Sequence, residues 1–125
     1  MIRSGIDFIE VERIDRAILR YGDRFFNRFF TSQEIIDSGG HTPALAARFA
    51  AKEAVAKALG VGISWREGVY WRDVEVVRDP RGKPGICLHR GALERAQQVG
   101  LSGWAVSLSH SREYAVAMVV ATRED

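Results

Sequence analysis

Apolar residues recur along this chain with two periods, and the changes of period mark its elements. Ile2 to Ile9 alternates loosely, with β-branched residues and one glycine, which predicts a short strand. From Glu10 the step lengthens. Val11, Ile14, Ile18, Tyr21 and Phe25 recur at three- and four-residue intervals and would share one helical face, with Gly22 ending or kinking the helix. Thr31-Ser32-Gln33-Glu34 has the form of a capping box and opens a short helix, followed by a loop over Asp37-Ser38-Gly39-Gly40-His41. Thr42, as a capping side chain, and Pro43 in the first turn start an alanine-rich helix that runs to Leu59 and closes at Gly60. So many alanines predict a helix whose faces meet other backbone closely.

Beyond Gly62 the period returns to two. Trp71 to Val77 alternates, Asp79-Pro80-Arg81-Gly82 is a turn, and Gly85 to His89 resumes as a strand. Ala92 to Val99 reads as a short helix, and Trp104 to Ser109 and Tyr114 to Ala121 as two strands joined tightly through His110 to Glu113. The order β-α-α-β-β-α-β-β, without regular βαβ alternation, predicts an α+β fold: a single domain, residues 1–125, with an antiparallel sheet packed against helices.

Composition narrows the classes. With 125 residues and 46% apolar content the chain has room for one core and is too apolar for disorder. No apolar run approaches the ~20 residues of a membrane span, and no signal peptide is visible, so a cytoplasmic domain without a membrane partner is expected. The single cysteine, Cys87, excludes an internal disulfide and any cysteine-based metal cluster. A net charge of +2 does not by itself call for nucleic acid.

Three patches could carry chemistry, each with an ordinary structural alternative. Asp7, in Gly5-Ile6-Asp7, is either a helix-capping aspartate or a ligand for a hard cation such as Mg²⁺. Glu53 and Lys57, like Arg48 and Lys52, lie one helical turn apart. They read either as solvated pairs of roughly 0.2–0.5 kcal/mol each or, given the packing residues Ala46, Phe49 and Ala50 beside Glu53 and Lys57, as a metal-and-phosphate site. Ser109-His110-Ser111 is either a plain hairpin connection or a set of hydrogen-bond donors for a phosphate. No HExxH, Walker or GxGxxG pattern is present.

Taken in order, these patches resemble the motifs of the holo-[acyl-carrier-protein] synthases, within the 4′-phosphopantetheinyl transferase superfamily. The opening run from Gly5 to Ile14 resembles the first motif, and Arg48 to Gly60 is similar to the second almost throughout. Gly82-Lys83-Pro84 and Ser107 to Ala115 are similar to the third and fourth, so the likeness spans residue 5 to about residue 121. The resemblance implies that fold and the transfer of the 4′-phosphopantetheine arm of coenzyme A to a serine of apo acyl carrier protein, releasing adenosine 3′,5′-bisphosphate and serving fatty acid biosynthesis. It implies Asp7 and Glu53 as Mg²⁺ ligands and catalytic residues, and Lys57 as a catalytic contact to the coenzyme A phosphate. Arg48, Gly60, Gly82, Pro84, His110 and Ser111 would line the nucleotide. The segment before the second motif, Ser38 to Pro43, lacks the lysines and arginines usual there, so His41, Arg48 or a neighbouring subunit would hold the 3′-phosphate.

Arg13, Arg16, Arg20 and Arg24 recur at steps of three and four residues, with Arg28 extending the stripe. Alone it reads as a solvated face paired with Glu12 and Asp23; under the resemblance it becomes the docking surface for an acidic carrier protein. A nucleic-acid role is disfavoured because acids alternate with the arginines and no aromatic platform accompanies them. A binding module that holds these ligands without transfer would not need Asp7, Glu53 and Lys57 together. The resemblance also implies a homotrimer with sites at subunit interfaces, to which Trp65, Tyr70 and Trp71 could contribute.

Overall fold

The computed structural model describes residues 1–64 and 66–123. Strand β1 (Ile2–Glu10) leads directly into α1 (Val11–Tyr21), α2 (Asp23–Phe29), α3 (Ser32–Ser38) and the long α4 (Thr42–Leu59). A single 3₁₀ turn (Trp71–Asp73) precedes the hairpin β2 (Val74–Arg78) and β3 (Pro84–Leu88); α5 (Arg90–Val99) then leads to the hairpin β4 (Gly103–His110) and β5 (Tyr114–Thr122). All strand pairs are antiparallel. They form two sheets, β1-β5-β4 and β2-β3. The α+β expectation holds, with four helices between β1 and β2 where the sequence order carried two.

α4 is the centre of the molecule. Leu45, Ala46, Ala50, Ala51, Ala54, Val55, Ala58 and Leu59 are buried around its circumference, against the inner face of β1, β5 and β4 on one side and α1, α3 and β2 on others. Only Lys57 on this helix is exposed. The small side chains let the backbones approach. At Gly5 a Cβ would lie 1.9 Å from the Ala54 carbonyl oxygen, so no other residue fits where β1 crosses α4.

Gly22 splits the predicted first helix in two. Its φ of 58° is accessible at low cost only to glycine, and its amide closes α1 on the Ile18 carbonyl before α2 begins. The Thr31–Glu34 capping box forms as predicted. Some boundaries differ. His41, not Thr42, is the N-cap of α4 and makes no side-chain cap bond, because the chain enters the first turn one residue early with Pro43 still inside it. Trp71–Asp73 is a 3₁₀ turn rather than strand, held by the Asp73 carboxylate accepting from the Tyr70 amide at 3.1 Å. α5 starts at Arg90, and β4 extends through His110.

Tyr21, placed by period on the apolar face with Val11 and Ile14, is exposed at the end of α1. Trp71 packs into the chain's own aromatic cluster, 4.5 Å from the Phe49 ring and 4.8 Å from Phe29, which removes most of it from any interface. Tyr70 stays exposed, and Trp65 lies outside the described residues.

Candidate active site

Along β1, Gly5 and Ile9 are buried, Asp7 is half-buried and Ile6 and Phe8 are exposed, so Asp7 points to the face covered by α4. Asp7 sits mid-strand, and Glu10 is the N-cap of α1, which removes the helix-capping alternative. The close contact at Gly5 brings this strand onto the α4 turn that presents Glu53 and Lys57. Lys57 does not pair with Glu53. Its Nζ donates to Asp7 Oδ1 at 3.1 Å and to the Ile6 carbonyl at 2.7 Å, crossing from helix to strand.

The Glu53 carboxyl has its pKa raised from the ordinary value, first by burial and then by the Asp7 charge, with Lys57 and Arg13 pulling the other way. Two carboxylates on separate, rigid elements thus repel each other at one place, the condition that a hard cation relieves. Lys57 is 55% exposed on its side chain. Such a pair is worth roughly 0–1 kcal/mol, so an incoming phosphate can take the ammonium from Asp7 at little expense. A groove of about 360 Å³ beside it is lined by Ser4, Gly5, Ile6, Lys57 and Met118.

His110 ends β4 opposite Ala115, which also pairs with Ile9 of β1. Register therefore puts His110 on the same sheet face as Asp7, beyond the cover of α4. Ser111 builds the β4–β5 turn: its Oγ accepts from the amides of Glu113 at 3.3 Å and Tyr114 at 3.2 Å. The turn docks on the start of α1 through the Val11 amide, 2.8 Å from the Glu113 carbonyl. Both Ser111 and His110 are exposed.

Gly60 closes α4 one turn beyond Lys57. Gly82 and Pro84 stand apart on the other sheet, in a β2–β3 turn held by the Asp79 carboxylate accepting from the Arg81 and Lys83 amides, each at 2.8 Å. No hydrogen bond among the described residues joins that turn to Asp7, Glu53 or Lys57.

Arg48 and Lys52 overturn the solvated-pair reading. Arg48 is buried, donates Nη1 to the Ala44 carbonyl at 3.0 Å and leaves its Nε without a partner; burial lowers its pKa, against the raising charges of Glu34 and Asp37. Lys52 is fully buried. Its Nζ donates to Glu34 Oε1 at 2.8 Å, to the Trp71 carbonyl at 3.1 Å and to the Val74 carbonyl. Glu34 also accepts from the Thr31 amide at 2.8 Å and, through Oε2, from the Val76 amide at 3.0 Å. This pair ties α3, α4 and β2 together, and sequence reasoning missed it. The available signal was a lysine set among buried alanines, with an acid already placed by the capping box.

The arginine stripe is exposed on α1 and α2. Arg16 pairs with Glu12 at 2.9 Å, as its spacing allows. Arg20 and Arg24 lie over the Tyr21 ring, 5.4 and 5.9 Å from its centre, so an exposed aromatic does accompany the stripe. Beside them a groove of about 420 Å³ is lined by Ala17, Tyr21, Arg24, Phe25, Arg28 and Phe29. Arg13 differs from the others in acting on Glu53.

β1 and α4 thus bring two carboxylates and a lysine together at one edge of an α+β fold, next to the groove that Lys57 lines. The family model of the 4′-phosphopantetheinyl transferase superfamily matches residues 3–119. The chain is 46% identical over 124 residues to the holo-[acyl-carrier-protein] synthase of Herpetosiphon aurantiacus, covering 96% of this chain and 98% of that one. It is 50% identical over 121 residues to that of Alkaliphilus metalliredigens, covering 94% and 96%. The fold is similar to the crystal structure of the Helicobacter pylori synthase in complex with coenzyme A, with a TM-score of 0.84, 31% identity and coverage of 98% and 100%. The Neisseria meningitidis synthase gives a TM-score of 0.86 at 32% identity, with the same coverage. The chain belongs to the 4′-phosphopantetheinyl transferase superfamily and, within it, to the holo-[acyl-carrier-protein] synthases.

Proposed function

We propose that the protein transfers the 4′-phosphopantetheine group of coenzyme A to a serine of apo acyl carrier protein, with Mg²⁺ held by Asp7 and Glu53. The reading rests on one observation above all: Asp7, Glu53 and Lys57 converge where β1 crosses α4, and nothing in packing requires three charged groups there. The donor set fits the ion, since both ligands are carboxylate oxygens and the Asp7 charge already raises the Glu53 pKa. Bound there, Mg²⁺ would neutralise charge on the pyrophosphate oxygens flanking the bond that breaks.

The serine oxygen attacks the phosphorus attached to the pantetheine arm, and adenosine 3′,5′-bisphosphate leaves with the electrons of the broken P–O bond. Lys57 releases Asp7 and donates to the departing phosphate. The serine proton passes through water to Asp7 or Glu53, the acceptors nearest the site. His110, with Gly60 and Ser111, supplies nucleotide contacts; Arg48, which is buried, and the Gly82–Pro84 turn, which stands apart within one chain, join them where a neighbouring subunit completes the site. His41 or a neighbouring subunit completes the hold on the 3′-phosphate.

Arg13, Arg16, Arg20 and Arg24 receive the acidic carrier protein, and the groove lined by Tyr21, Arg24, Arg28 and Phe29 belongs to the same docking surface. The assembly we favour is a homotrimer built on the open face of the β1-β5-β4 sheet. That face leaves Ile6, Phe8 and Met118 59%, 62% and 48% exposed, and the groove at Lys57 opens onto its rim. Residues 1–125 then form one synthase domain that supplies holo carrier protein for fatty acid biosynthesis in the cytoplasm. No helix among the described residues is long and apolar enough to cross a membrane.

The test is incubation with apo carrier protein, coenzyme A and Mg²⁺, followed by mass spectrometry for the added phosphopantetheine. Asp7→Ala and Glu53→Ala should abolish transfer and Lys57→Ala should slow it severely. Folded protein that modifies no carrier protein among several tried would overturn the reading.

A further inference from the structure

Away from this site, three side chains with different ligand chemistry meet on the β2–β3 hairpin. Glu75 and Cys87 are direct cross-strand partners, and His89, the extended N-cap residue between β3 and α5, follows Cys87 by two residues. One ligand atom from each lies within 4.8 Å of the others, and all three residues are half-buried. His89 Nε2 is 3.0 Å from Glu75 Oε1. Two ligands at about 2.0–2.2 Å from a tetrahedral cation sit about 3.3–3.6 Å apart, so this pair has only a few tenths of an ångström to open.

We propose that Glu75, Cys87 and His89 form a second metal site, for a borderline-soft divalent cation of the Zn²⁺ class, with water as fourth ligand. Carboxylate, imidazole and thiolate are the zinc donor types, whereas Mg²⁺ takes oxygen alone, so the site is chemically distinct from Asp7 and Glu53.

The surroundings hold the ligands in place. Thr31 Oγ1 donates to Glu75 Oε2 at 2.6 Å, leaving Oε1 to face the cluster. The His89 amide donates to the Asp73 carbonyl at 2.8 Å, which fixes the end of β3. Lys52, the cation on the buried side, is already matched by Glu34 at 2.8 Å. On the open side His89 is 36% exposed, which gives a cation its way in. Binding would replace the His89–Glu75 hydrogen bond by two metal bonds and clamp β2 to β3.

Co²⁺ tests this directly, because thiolate-to-cobalt charge transfer in the near ultraviolet can arise only from Cys87, the chain's single cysteine. Titration of the reduced full chain should give one equivalent of this band, displaced by Zn²⁺ and kept in Asp7→Asn/Glu53→Gln. Cys87→Ser should lose the band. His89→Asn and Glu75→Gln should keep their circular dichroism while Co²⁺ affinity falls about 10-fold or more. Zn²⁺ should raise the melting temperature of the unaltered protein but not of Cys87→Ser. No band in excess Co²⁺ would overturn the proposal. So would a band whose affinity is unchanged in both His89→Asn and Glu75→Gln, since the thiol alone would then be binding.

Discussion

Replacing Lys52 by methionine nearly keeps the volume of the side chain, shortens it by one atom and removes its charge and donors, which isolates most of what the buried pair does. In the folded protein Glu34 is fully buried, and the Lys52 ammonium 2.8 Å away is its salt-bridge partner. The variant would leave Glu34 with two backbone donors, Thr31 and Val76, and would also strip a donor from the Trp71 and Val74 carbonyls. Breaking a buried pair from one side costs about 3–5 kcal/mol, a large share of the ~5–15 kcal/mol that holds a domain together. Adding Glu34→Gln removes the stranded charge, so the double variant should recover about 2 kcal/mol. Recovery stays incomplete because an amide presents one acceptor to the two N–H groups that the carboxylate now serves. Urea denaturation followed by circular dichroism measures both values, with an unchanged slope as the check on two-state behaviour. A loss below about 1 kcal/mol for Lys52→Met, or a double variant no more stable than the single, would refute the account.

Other consequences follow from the same geometry. Gly5→Ala would set a Cβ 1.9 Å from the Ala54 carbonyl, which no rotamer can relieve. β1 must move off α4, with a stability loss of about 1–3 kcal/mol or more and about 100-fold slower transfer as Asp7 is displaced; unchanged values in denaturation and transfer assays would count against the crossing as the site's foundation. Arg20→Glu should raise the KM for carrier protein about tenfold and leave that for coenzyme A within about twofold. Arg13→Glu should disturb both substrates, because Arg13 also acts on Glu53; steady-state kinetics with each substrate varied distinguishes the two. Mg²⁺ and protons compete for Glu53, whose pKa is raised, so Mg²⁺ affinity measured by calorimetry should begin to fall with decreasing pH before the ordinary carboxyl value of 4.5 is reached. Affinity that stays flat down to that value would show that Glu53 is not a ligand.

Why some of this was legible in the chain and some not comes down to how far apart the interacting residues stand. Glu53 and Lys57 are one turn apart, and the Thr31–Glu34 box closes within four residues, so local geometry alone relates them. Gly5 and Asp7 could be named from their motif, but that Lys57 would leave Glu53 for Asp7 depends on β1 lying against α4, a contact fifty residues long in sequence. Lys52 escapes local geometry for a sharper reason. Charged residues are exposed unless paired, so Arg48 and Lys52 at helical spacing read as a solvated edge. Their burial depends on an acid 18 positions earlier and carbonyls 19 and 22 positions later. The alanines that made α4 the clearest helix already contained the correction, because a helix narrow enough to be enclosed on every side has no solvated edge to offer. Where such a helix still carries charges, each must either find a buried partner, as Lys52 does with Glu34, or reach an opening, as Lys57 does. On that argument Glu53, half-buried and without a hydrogen-bonding partner among the contacts described, is the group whose charge the fold leaves for something else to balance.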